Sequence, residues 1–280
     1  MRWTSAYLSL APTLLLGCPN NDDTGDTDDT GEVEILDPEP VGAPTEPITG
    51  RWTCLGDNEQ PPATSRRVEL PGYVRTLADP GADDLVPAAQ VEVFDENDTL
   101  LGTTFANPGN DGRVAVVIPV LEEGFTGYLM VTEDGFLDWR MEISRPVTNS
   151  DFNGWTWLTT PAERDAKATD LGVTVEPSAG ILVGAVHDCE AFGSPNIVLQ
   201  VDGETEDMFY MEGFGAVDTR TYTSDSGRFV LPNVPVGPVV VKAFGRVESG
   251  GPLLLLSSIE TESLAGVMSA VALEPRVGLE

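Results

Sequence analysis

The chain has 280 residues, of which 46 are acidic and 15 basic, giving a formal net charge of −31. Such a surface repels the phosphate backbone of nucleic acid and anionic lipid headgroups alike, so neither is an expected electrostatic partner. The length and a hydrophobic content of 41% suit two ordinary domains with cores of their own, while 29 glycines and 22 prolines point to short elements separated by many turns.

Met1 and Arg2 give a minimal basic start, and an apolar stretch from Tyr7 runs into Leu14-Leu15-Leu16-Gly17-Cys18. It is too short to span a bilayer and reads as a signal peptide over residues 1–17. An aliphatic residue, two further residues ending in Gly, and then Cys resembles the lipobox of bacterial lipoproteins. The resemblance implies cleavage before Cys18, a palmitate-type lipid on that cysteine, and the membrane as a partner through this lipid. At ~0.8 kcal/mol per buried methylene, several acyl chains make such an anchor effectively permanent. The implied location is the bacterial cell envelope, with the outer membrane or surface favoured.

Between Pro19 and Gly50 there are ten acidic residues and no basic one. Residues 18–50 have little to bury and repel themselves, so they are expected to be a disordered acidic tether. The Asp-Thr-Gly-Asp-Thr-Asp-Asp run lacks the spacing of an EF-hand loop and is read as solvated linker.

Two modules are expected beyond it, over residues 51–160 and 161–280, because a pattern repeats. In the first, Gly72 to Arg75 opens as a strand, Val86 to Phe94 alternates, and Asn110-Asp111-Gly112-Arg113 turns into another alternating run. Gly124 to Val131 completes the set. In the second, Ile181 to Val186 opens, Ser194 to Val201 follows, Ser224-Asp225-Ser226-Gly227-Arg228 turns into Phe229-Val230-Leu231, and Pro235 to Ala243 ends the series. Helical periodicity is nearly absent, and short β-branched runs recur between Gly, Asp, Asn and Pro turns. The expected fold is all-β: two tandem antiparallel Greek-key β-sandwich domains. The second copy, from Gly180 to Ala243, resembles the carboxypeptidase regulatory-like, or transthyretin-like, domain. The pattern is Pro-x-x-x-Val-x-Val, then Thr-x-x-(Asp)-Gly-Arg-Phe-x-Leu-x-x-Val-Pro-x-Gly, then an alternating strand. The first copy departs from it at Val114 and Glu123. The resemblance implies a stable accessory module more than an activity.

With Cys18 committed to lipid, Cys54 and Cys189 remain as an even pair in an exported protein and are expected to form a disulfide. A loop of that length would gain roughly 3 to 5 kcal/mol in the chain-entropy model. The single histidine, His187, lies beside Asp188 at a strand end, and neither a Gly-x-Ser-x-Gly elbow nor a multi-histidine zinc pattern occurs. No catalytic residue, metal site or cofactor is therefore nominated, and the chain is read as a non-enzyme. Acidic loops such as Asp95 to Asp98 suit plain turns better than calcium sites. Trp155 and Trp157, two apart on a strand, share one face. They are the candidate contacts for carbohydrate, and the competing reading is that they pack on the first core or between modules. The leading functional expectation is a non-catalytic structural, adhesive or assembly lipoprotein with a protein or glycan partner. A carbohydrate-binding surface lipoprotein is the alternative.

Overall fold

The computed structural model describes residues 34–50, 52, 62–76, 88–107, 112–150, 154–202, 208–212, 215–217 and 219–275. Alternation of apolar and polar residues puts one face of each strand inward. Val91 and Val93 of β2 (Gln90–Phe94) are buried, as are Val116 and Ile118 of β4 (Arg113–Pro119). The first layer pair contains the sheet β4-β1-β7, with β1 at Arg67–Thr76 and β7 at Gly154–Leu158. It faces the run β6-β5-β2-β3, where β3 is Leu100–Phe105, β5 Tyr128–Thr132 and β6 Trp139–Glu142. Val68, Leu70, Ile118, Val91 and Val131 fill the space between them.

A ten-residue helix, α1 (Pro161–Asp170), follows β7 and was not expected from periodicity. Its start is fixed locally: the Thr160 side chain accepts from the Glu163 N–H, the Glu163 carboxylate accepts from the Thr160 N–H, and Pro161 occupies the first turn. The second layer pair then begins with β8 (Gly180–Val186). It continues with β9 (Val198–Asp202), β10 (Phe209–Glu212), β11 (Gly215–Val217), β12 (Arg228–Val234), β13 (Gly237–Gly245), β14 (Leu254–Ser263) and β15 (Met268–Leu273). The sheet β14-β13-β9 packs over β12-β8-β15, burying Leu182, Phe229, Leu231, Val241 and Ile259.

The internal repeat reappears as strand pairing. The opening strand pairs antiparallel with the strand after the Gly-Arg turn in both copies, β1 with β4 and β8 with β12. Likewise β2 with β5 matches β9 with β13, and β5 with β6 matches β13 with β14. Each opening strand also carries a parallel neighbour, β7 beside β1 and β15 beside β8. These parallel pairs enter an otherwise antiparallel design because each closing strand returns to the sheet after a long excursion.

The two copies are joined edge to edge. Parallel pairing of β15 with β6 sets Met268 opposite Trp139 and Ala270 opposite Met141. One nine-stranded sheet results, in the order β11-β10-β12-β8-β15-β6-β5-β2-β3. Ile181 and Met268 of the second copy are buried in the same apolar cluster as the first core, so side chains as well as hydrogen bonds cross this seam.

The acidic segment departs from its expected disorder over residues 34–50, which lie along the second sandwich. Ile35 bridges to Leu254, the Leu36 N–H donates to Leu253 O at 3.0 Å, and the Ile48 N–H donates to Arg246 O at 2.8 Å. Leu36 and Ala43 pack on Val198, Phe244 and Leu253, and Ile48 packs on the second core. Its carboxylates do not repel the body because they meet cations: Glu34 accepts from Lys242 Nζ at 2.9 Å, and Glu39 accepts from both terminal nitrogens of Arg246. The apolar anchors spaced through this strap, and not its net charge, decide its order.

Candidate functional site

Two concavities among the described residues bear on function. The first is a cleft of about 790 Å³ bordered by β5, β6 and β14. Six carboxylates line it (Glu96, Asp98, Glu142, Glu260, Glu262, Glu274) against Arg140 and Arg145. Arg140 organises the floor: its Nε donates to Glu142 at 2.7 Å, Nη1 reaches Glu262 at 3.3 Å, and its guanidinium sits 3.8 Å from the centre of the Tyr128 ring. Thr261 donates to Glu142 at 3.0 Å, and Arg145 pairs with Glu274 at 2.9 Å. The Arg140–Glu262, Thr261–Glu142 and Arg145–Glu274 contacts run from the first copy to the second, so the cleft is a clasp across the seam. Tyr128 donates to Asp98 at 2.7 Å, and burial together with that bond pushes its phenol up to about 12. It therefore stays protonated as a donor throughout the physiological range. Among the described residues, no group of three or more His, Cys, Asp or Glu side chains is placed to hold a metal ion.

The second concavity, about 450 Å³, lies between α1 and the face of β6, β15, β8 and β12 that points away from the second core. The face of the nine-stranded sheet that forms the first core continues across the seam as Ile181, Val183, Val230, Met268 and Ala270, all packed in one cluster with it. Over this part α1 replaces a second sheet. The helix turns Arg164, Lys167, Ala168 and Leu171 toward the space, and only Ala168 of its ten residues is buried. Small and cationic residues cannot fill the gap beneath them, and a cavity results. Trp139 and Trp157 line it beside the seam.

Trp157 is half-buried, packs on the first core and borders this second cavity, so its ring is no open platform. Trp155 lies on β7 opposite Tyr73 in the register, and its side chain is outside the described residues, as are Cys18 and Cys54. Cys189 follows β8 in the turn held by Asp188, whose Oδ1 accepts from the Glu190 and Phe192 N–H groups at 2.9 and 3.0 Å. The Asp95 carboxylate similarly accepts from the Asn97 and Thr99 N–H groups, which holds its acid below the usual range and makes that loop a turn closed by its own side chain. His187 is mostly buried, with Nδ1 4.0 Å from Glu274, beyond hydrogen-bond reach. Burial first, and then the Arg228 charge, lower its pKa.

The arginines of the clasp and the cavity under α1 were missed in the sequence. The seam that brings them together is long-range, but one signal was present. Ile181 to Val186 is apolar without alternation, the mark of a strand covered on both faces.

No helix among the described residues is long and apolar enough to cross a membrane. No family model matches the chain, and no curated protein matches it. Among solved structures it resembles the Bacillus anthracis TIE protein at 13% identity and a TM-score of 0.24, over 75% of this chain and 34% of that one. It resembles a streptococcal ancillary pilin at 10% identity and a TM-score of 0.23, over 76% of this chain and 64% of the pilin. Two B repeat units of the Staphylococcus aureus collagen-binding protein match at 12% identity and a TM-score of 0.21, over 77% and 51% of the respective chains. The chain thus spans about a third of the TIE protein and under two thirds of the ancillary pilin.

Proposed function

We propose that the chain is a lipid-anchored envelope or cell-surface protein whose folded body is a non-catalytic structural, adhesive or assembly element. The observation that carries the reading is the seam. Two sandwiches joined through a β15–β6 ladder and the Arg140 clasp, with no flexible linker between them, form a stiff body suited to holding a contact surface at a fixed orientation. The anchor is read from Leu15-Leu16-Gly17-Cys18, with cleavage before Cys18 and acylation of its thiol. Cys54 and Cys189 are proposed to form a disulfide that ties the start of the first module to the turn after β8. The carboxypeptidase regulatory-like resemblance belongs to the same reading. Phe229, Leu231 and Val234 of that motif are buried in the second core, and Gly227 and Gly237 take positive φ, which fits accessory-module packing.

Two measurements test the proposal. In cells, the protein should partition with membranes and incorporate an alkyne-tagged palmitate, and Cys18→Ala should do neither. Unlabelled wild-type protein in the soluble fraction would remove the anchor. For the body, heat or urea should unfold both sandwiches in one transition. Two separate transitions, one reported by Trp139 and Trp157 and the other by Tyr210 and Tyr222, would remove the stiff-body reading.

A further inference from the structure

We infer that the cavity between α1 and the nine-stranded sheet is a binding site for a small organic anion with an apolar body, of the chemistry of a medium-chain fatty acid. A volume of about 450 Å³ falls within the usual range of roughly 300–1,000 Å³ for small-molecule sites. Strand register gives the site a direction. At one end Trp139, Met268 and Ile181 stand side by side across β6, β15 and β8. Val183, Ala270 and Val230 form the next inward-facing row, and Ala185 lies beside Arg228 in the row after that. Ala185 lies four positions along β8 from Ile181, so the apolar floor runs ~13 Å from the Trp139 row to the Arg228 row.

Charge singles out the occupant. In a chain with 46 acidic and 15 basic residues, this lining holds three cations (Arg164, Lys167 and Arg228) and one carboxylate, Asp170, with Arg164 already paired to Asp165 at 2.7 Å. With Asp165 counted, the local balance is still +1 on a body of formal charge −31. Simple solubility would place carboxylates here as it does elsewhere, so cations gathered over an apolar floor match a ligand carrying negative charge at one end. The apolar end of the floor is marked by Trp139, 6% exposed, which the tail of a medium-chain ligand held at the Arg228 end would reach. Neutral lipids lack the charge, and cationic amphiphiles would meet Arg164, Lys167 and Arg228.

Isothermal titration of the full-length protein with decanoate, below its micelle concentration, tests the inference. Decanoate should bind in the micromolar range, with decanol and decyltrimethylammonium at least tenfold weaker. Lys167→Glu, an exposed helix position that leaves the core untouched, should weaken decanoate at least tenfold. Ala270→Trp, which fills the floor, should abolish binding. The indole N–H resonance of Trp139, assigned by its loss in Trp139→Phe, should move on decanoate addition. Equal affinity for decanoate and decanol, unaltered affinity in Lys167→Glu, or an unmoved Trp139 signal at saturation would each overturn the site. Should Ala270→Trp fail to fold, Lys167→Glu and the Trp139 resonance still decide the outcome.

Discussion

Gly227, at the Gly-Arg turn of the second copy, allows a sharp test of close packing. Its φ is +66°, a left-handed conformation costly for any residue with a Cβ. A Cβ there would also fall against the Val186 carbonyl oxygen, well inside van der Waals contact, and within 2.9 Å of the Ser194 nitrogen. Both obstacles are backbone, so the neighbours cannot rotate away. Gly266 is the natural control: its φ is +72°, and a Cβ added there would have nothing within 4 Å. Alanine at either site pays the same left-handed penalty of ~1–2 kcal/mol and gains the same unfolded-state entropy. Those contributions cancel between the two variants. What remains for Gly227→Ala is overpacking, ~1–3 kcal/mol, equivalent to a further ~2–12 °C in Tm for a body of this size. Thermal unfolding followed by tryptophan fluorescence should place Gly227→Ala below Gly266→Ala by at least this lower bound. Equal midpoints would show that conformational strain alone, and not the approach of Val186, makes glycine necessary there.

Four further outcomes are expected. Arg140→Met leaves the nearly buried Glu142 without its cationic partner, with only Thr261 donating to it, and should destabilise by about 3 kcal/mol. Arg140→Met combined with Glu142→Gln should recover part of that loss in urea unfolding, and strict additivity would deny that Arg140 and Glu142 act as a pair. His187 is the one histidine in the sequence, so its ring resonance titrates alone by NMR. Its lowered pKa means the fold favours the neutral ring: this contribution to stability is whole above the unfolded value near 6.5 and declines as pH falls through the depressed folded value. A midpoint at or above 6.5 in the folded protein refutes this. Tyr128 and Tyr210 are both pushed up to about 12, chiefly by burial, so spectrophotometric alkaline titration should show two phenols ionising late. Their contribution is present below 10 and lost as pH rises through 12. Arg246→Ala removes donors to Glu39, Pro44 and Gly251 and should expose the 34–50 strap to limited proteolysis while the sandwiches survive. An unchanged digestion pattern would mean that Ile35, Leu36 and Ile48 hold the strap unaided.

What the sequence made legible was local. Strands with two-residue alternation, such as Gln90–Phe94 and Arg228–Val234, announce themselves because one face is buried and the other wet. The Gly-Arg turns were legible because Gly112 and Gly227 supply positive φ at equivalent places. The β15–β6 seam was not, since a parallel pairing between residues 139–142 and 268–273 leaves no turn signature or spacing to read. The helix had a readable start in Thr160-Pro161-Ala162-Glu163. It escaped notice because no apolar stripe follows it, Ala168 being its only buried residue.

That missing stripe connects the helix to the cavity beneath it. A helix laid on a sheet ordinarily supplies leucine-sized side chains to match the apolar face it covers, and here Val183, Val230 and Ala270 meet Ala168, Lys167 and Arg164 instead. If the helix served only to cover the sheet, Lys167→Leu and Arg164→Leu should stabilise the protein by filling the space, at ~25 cal/mol per Å² of newly buried apolar surface, with no other consequence. If the space is kept for a ligand, the same pair should raise Tm while decanoate affinity falls, the exchange expected where stability is withheld from a functional surface. Higher Tm with unchanged binding would make the helix a poorly optimised cover and nothing more.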